Sequence, residues 1–139
     1  MFFALVLPIV LMPVAAFAID SAVAADDFSR LEEVTARAAE EAAQQIDAAT
    51  LRSGGGIVLD GAGAAAVARL VVEAAEPSAR VISITVAGTQ ISVTTVEVVM
   101  VPLSFFGKPT LTLHARAVAL LGAGYDRPSS LLPLPVSTF

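Results

Sequence analysis

The side chains that could do chemistry are few and far apart. His114 is the only histidine, and the chain has no cysteine. A general base needs a partner within hydrogen-bond reach. In the alternating run around His114 the residues sharing its face are Thr112 and Arg116, with no acid at a local spacing. That pattern reads as a surface histidine. Zinc takes several nitrogen, sulfur or oxygen ligands, which one histidine without cysteine does not supply. No serine stands in a GxSxG elbow. Asp26 and Asp27 form an acidic pair, but adjacent acids in a helical stretch usually mark a solvated face. The run from Gly54 to Gly56 is followed by no GK[ST] and completes no GxGxxG after a strand, so it reads as a joint, not a phosphate cradle. Phe105 and Phe106 are the remaining candidate, as a contact patch in a loop or as aromatic cover over the core. No catalytic residue, metal or cofactor is expected, and the chain does not read as an enzyme.

Charge narrows the partners. Thirteen acids against eight basic residues give a net charge of −5, too acidic to neutralise a phosphate backbone, so nucleic acid is excluded as a partner. Only 15% of the residues are charged, well under the roughly one quarter of an ordinary soluble domain. The apolar surplus is concentrated at the start. Residues 1–19, MFFALVLPIVLMPVAAFAI, carry no charge, and Asp20 ends the run. A helix needs about 20 apolar residues to cross the ~30 Å hydrocarbon layer. Pro8 and Pro13 each remove a backbone donor, which a membrane helix tolerates better than a soluble one. Phe2, Phe3, Leu5, Leu7, Ile9, Leu11 and Phe17 are its expected membrane and assembly residues. The competing reading is a signal peptide cut near Ala18, because Ala16-Phe17-Ala18 has the small-x-small pattern. Against it stand the absence of a basic residue before the apolar run and the two prolines within it. No cluster of basic residues specifies orientation; a short N-terminus with the remainder translocated is the simplest arrangement.

These residues must be positioned by elements that the periodicity outlines. Residues 20–52 are expected to continue the helix from the anchor, with Phe28, Leu31, Ala38, Ala42 and Ile46 as a narrow apolar stripe. Asp26 with Arg30, and Glu33 with Arg37, are i,i+4 pairs. Residues 57–120 should form a small α+β domain. Its helix spans 62–75, capped by Asp60, with Val67, Leu70, Val71 and Ala74 as the buried face. Three strands follow at 81–87, 91–101 and 110–120. In the first, Ile82, Ile84 and Val86 share a face. In the second, alternation slips at Thr94-Thr95, which reads as a bulge or as burial on both faces. In the third, Leu111, Leu113, Ala115 and Ala117 point inward. Residues 121–139 read as a flexible tail rich in Pro, Ser and Gly. The whole is an α+β, pilin-like layout: a long N-terminal transmembrane or amphipathic helix, a short second helix and a three-stranded antiparallel meander.

The layout carries a resemblance. FALVLPIVLM at residues 3–12, the exit at Ala16 to Asp20, the Ala-rich run from Ala36 to Ile46 and VPLSFFGKPTLTLHARAVA at 101–119 resemble the TadE/TadG-like proteins of tight-adherence (Flp-type) pilus systems. Many pilin-like chains carry a glutamate near the start of the apolar run. Phe2 stands there instead, so no processing site is carried over. The resemblance implies a minor pilin-like or pseudopilin-like subunit: a structural, single-pass membrane protein with most of its chain outside the cytoplasm, in the envelope or pilus. Its implied partners are the lipid bilayer, other pilin-like subunits and platform proteins of pilus assembly, in a homo- or hetero-oligomer. An exported soluble binding module is the alternative.

Overall fold

The computed structural model describes residues 2–103, 107 and 109–122, with side chains from Leu7 onward. Its element order is α1 (Phe2–Ala42), α2 (Ala48–Arg52), α3 (Gly61–Ala75), β1 (Arg80–Ala87), β2 (Gln90–Met100) and β3 (Thr110–Leu120). The strands form one antiparallel sheet in the order β1-β2-β3. Helices α1 and α3 cover one face of it, α1 over β2 and β3 and α3 toward β1. This is the α+β fold that the periodicity predicts. Phe105, Phe106 and residues 123–139 of the expected tail lie outside the described residues.

Helix α1 has 41 residues, about 60 Å at ~1.5 Å per residue. It continues through both Pro8 and Pro13. From Asp20 to Ala42 it runs for roughly 33 Å, which matches the ~36 Å of an eleven-residue strand. This second half therefore lies along the whole sheet. Thr35 fixes it there: its hydroxyl donates to the Leu31 carbonyl at 2.6 Å and meets the Thr95 hydroxyl of β2, both side chains fully buried. A buried polar pair that satisfies itself sets a register that interchangeable methyl contacts would not.

The helix is shorter than expected. It ends at Ala42, and Ile46 forms an isolated bridge with Leu59, 44% exposed and off the stripe. Asp47 then caps the separate helix α2, accepting from the backbone N–H groups of Ala49 and Thr50 at 2.9 and 3.1 Å. An Asp that can start a new helix competes with continuing the old one, which is why the Ala-rich composition failed to carry α1 to Arg52. The segment is tied down by Asp47 N–H to Val58 O at 3.0 Å and Asp60 N–H to Gln45 O at 2.9 Å.

Helix α3 starts as expected, with Asp60 accepting from Ala62 and Gly63 at 3.0 and 3.1 Å. Its buried face is different. Ala64, Ala68 and Val72 are buried, whereas Leu70 is 68% exposed, Ala74 is exposed and Val67 and Val71 are only partly covered. The cause is close approach. Ala64 and Ala68 share a cluster with Ala39 and Ala42 of α1, Ala43 just after it, and Ile91 and Val93 of β2. Small side chains let the two helices and the sheet meet.

The irregularity in the sheet sits on β1, not β2. Pairing shifts between Val81 and Ser83, leaving Ile82 56% exposed while Val81, Ile84 and Val86 face the core. The outer strand absorbs the extra residue because it has a partner on one side only. Strand β2 alternates without a slip: Ile91, Val93, Thr95, Glu97 and Val99 are buried. The expected slip at Thr94-Thr95 arose because two of these inward positions, Thr95 and Glu97, are polar. Strand β3 follows its expectation in the middle, with Leu113 and Ala115 buried, Ala117 partly covered and Thr112, His114 and Arg116 outward, but Leu111, near the strand's start, is 39% exposed. Gly88 at φ +61° opens the two-residue β1–β2 turn, the positive φ that such hairpins require.

Candidate functional site

The region with functional potential is the first half of α1 and the place where it joins the domain. Leu7, Ile9, Val10, Leu11, Met12, Val14, Phe17 and Ile19 are 45–76% exposed, bare of the protein's own core. The apolar window is long enough to span a membrane, and its length and N-terminal position equally fit a signal sequence. Of the expected anchor residues, Leu7, Ile9, Leu11 and Phe17 have the exposure that an outside partner requires. Phe2, Phe3 and Leu5 lie in the backbone-described first turns.

Asp20 closes this segment in a way its position alone did not reveal. It is fully buried, and its Oδ1 accepts the backbone N–H of Leu103 at 2.9 Å. The β2–β3 loop is thereby fastened to α1 one residue past the last apolar position. Burial of a carboxylate requires such hydrogen bonds. The sequence signal was a lone acid at the end of an apolar run, which suggests a water-facing exit; the loop that covers it is 83 residues away.

The helix stripe serves the domain itself. Leu31, Ala38 and Ala42 are 0% exposed and Phe28 packs beside them. The stripe at Leu31, Ala38 and Ala42 is thus covered within the domain, whereas the large side chains of residues 7–19 are exposed. Arg30 pairs with Asp26 at 3.0 Å, while Arg37 pairs with Glu41 at 2.7 Å and not with Glu33. The Glu41 carboxylate holds the Arg37 guanidinium above its ordinary pKa.

A second acidic arrangement went unnoticed in the sequence. The Ser78 hydroxyl lies 2.7 Å from Glu76 Oε1 and 2.6 Å from Glu97 Oε1, and Glu97 is buried. One hydroxyl proton serves one carboxylate at a time, so the cluster joins the α3–β1 turn to β2. Its only signal was a Glu at an inward position of a strand. His114 is exposed on the outer face, opposite Val96. Among the described residues no three His, Asp or Glu side chains gather as a metal site would need.

No family model, curated protein or solved structure matches this chain.

Proposed function

We propose that the protein is a structural, membrane-anchored subunit, of the minor pilin-like or pseudopilin-like kind used by tight-adherence (Flp) pili and related secretion assemblies. One observation carries this reading: a single unbroken helix is bare and apolar in its first half and built into an α+β domain in its second. The first half would sit in lipid or against the corresponding segments of other subunits. Helix association in a membrane proceeds by side-chain packing and interhelical contacts, not by exclusion of water. The sheet domain would stand outside the membrane, and its role is non-catalytic.

Release after cleavage at Ala18 is the rival reading. Asp20 bears on it: a cut after Ala18 spares the Asp20–Leu103 hydrogen bond, whereas a cut after Ala24, where Ala22-Val23-Ala24 repeats the small-x-small pattern, removes it. Either cut falls inside a continuous helix, which favours retention. Carbonate extraction of the native full-length chain, followed by N-terminal sequencing, tests the proposal. The anchored subunit stays in the pellet with residues 1–19 attached. A soluble product beginning at Ile19 establishes the rival. Adjacent genes for a secretion ATPase and a membrane platform would support the pilus assignment specifically.

A further inference from the structure

We infer that the end of the sheet domain at Met100, Pro102 and Leu103 is a second, peripheral contact with lipid, resting in the headgroup layer of the leaflet from which α1 emerges. The inference builds on the anchored reading above and adds where the domain sits. Three observations lead to it. First, the helix is continuous from Ile19 into Asp20, so no linker separates the span from the domain and the domain is held at a fixed height. Second, Asp20 Oδ1 binds the Leu103 N–H at 2.9 Å, which puts the start of the β2–β3 loop level with the end of the apolar run. The headgroup layer extends only about 5–7 Å beyond the hydrocarbon on each side, so a backbone at that level lies within it. Third, the side chains there are apolar and uncovered: Leu103 is 51% exposed and Pro102 is exposed beside it. On the last rung of the sheet, Met100, paired with Thr110, is 76% exposed.

Charge is compatible with this position. The acid nearest the loop, Asp20, is covered and hydrogen-bonded, and Asp26 and Asp27, further along α1, are both in reach of Arg30 at 3.0 and 3.9 Å. Leu103 seated at the membrane also gives the fully buried Asp20 a purpose. It couples the tilt of the span to the orientation of the sheet, so a subunit would meet its neighbours at a set angle.

The chain has no cysteine, so single-cysteine probes can be placed one at a time. Full-length Val10→Cys, Met100→Cys, Leu103→Cys and Thr89→Cys, each carrying a polarity-sensitive fluorophore, would be reconstituted in phosphatidylcholine/phosphatidylglycerol vesicles. Quenching by spin labels at deep and shallow lipid positions is then read. The expected pattern is deep quenching at residue 10 and shallow quenching at 103. Quenching at 100 should be weaker, and at 89, on the far hairpin, absent. If 103 behaves like 89 while 10 is quenched, the lipid contact is wrong and the anchor stands. If 10 itself is not quenched, the anchor fails and the contact fails with it. Asp20→Ala serves as a second measurement: release of the loop should lower quenching at 103 at least twofold and leave residue 10 unchanged. Equal quenching at 103 in both backgrounds would remove Asp20 from the account.

Discussion

The two halves of α1 are one helix with opposite fates. In the first, large apolar side chains stand in the open, Leu7 at 60% and Met12 at 76% exposure; in the second, alanines at 38, 39 and 42 are covered to within 1%. Burial here does not follow hydropathy. It follows the neighbours within reach: α3 and the sheet cover Leu31 and Val34 as well as the alanines, and come closest where the side chains are small. Dense packing at short range gives alanines many contacts, whereas the large side chains from Leu7 to Ile19 stay 45–76% exposed. The core of the sheet domain is built from the second half of α1, and the large side chains of the first half stand outside it.

The same substitution in each half separates them most sharply. Leu31 is fully buried between the helix and the sheet, so Leu31→Ala should lower the unfolding free energy of the sheet domain by about 2–5 kcal/mol. Leu11 is 53% exposed, and Leu11→Ala should leave that free energy within ~0.5 kcal/mol of the parent. Urea unfolding in detergent micelles, followed by circular dichroism, measures both. A comparable loss from Leu11→Ala would mean that the first half packs on the domain, and the contrast would dissolve.

Val10→Asp acts on the other half alone. An acid near the centre of a spanning helix costs insertion about 2.5–3.5 kcal/mol. The variant should move from the carbonate pellet toward the supernatant while its domain unfolds at the parent's urea midpoint. A domain that unfolds earlier, with no change in partition, would place Val10 in a protein core.

How much of this was legible in the sequence depends on range. The apolar run, the Asp60 cap, the three strands and, apart from Leu111, the inward face of β3 came from local patterns of period two and 3.6, and each stands in the fold. Errors came where a distant partner decides. Thr95 faces inward because Thr35, sixty residues away, satisfies it; as a lone threonine it reads as a break in alternation. Leu70 resembles a buried helix residue, yet Ala64, Ala68 and Val72 took the interface. Ile46 fits the stripe by spacing, but Asp47 had already committed the chain to a new helix. At the site, residues 7–19 were readable from composition, while the Asp20–Leu103 bond joins elements 83 positions apart, for which a single sequence offers no signal.

The threonine pair gives a smaller test within the covered half. Thr35→Val leaves the Thr95 hydroxyl buried with no partner from α1, a loss of about 1–3 kcal/mol. Adding Thr95→Val removes the orphaned group and replaces it with a methyl of similar size. The double variant should therefore recover most of that stability. A double-mutant cycle in urea reads the coupling; simple additivity of the two losses would show that the hydroxyls do not depend on each other.

The smallest expected effect lies just past the covered half, where the chain abandons α1. Asp47 accepts the N–H groups of Ala49 and Thr50 and the Thr50 hydroxyl. The Thr50 hydroxyl, and then its backbone N–H, holds the Asp47 carboxyl below its ordinary pKa. A folded pKa below the unfolded one stabilises the fold fully above the unfolded value, near ~3.9, and that stabilisation is lost as pH falls through the lower folded value. From neutrality down to about pH 5 the Ala49 and Thr50 amide resonances should hold still, and only in stronger acid should α2 fray. Asparagine caps helices as well as aspartate does but does not titrate. Asp47→Asn should therefore keep α2 and abolish its acid dependence, with both halves of α1 unchanged. If the variant still loses α2 in acid, the cause is a different carboxylate, and Asp47 is only a passive end to the turn that follows Ala42.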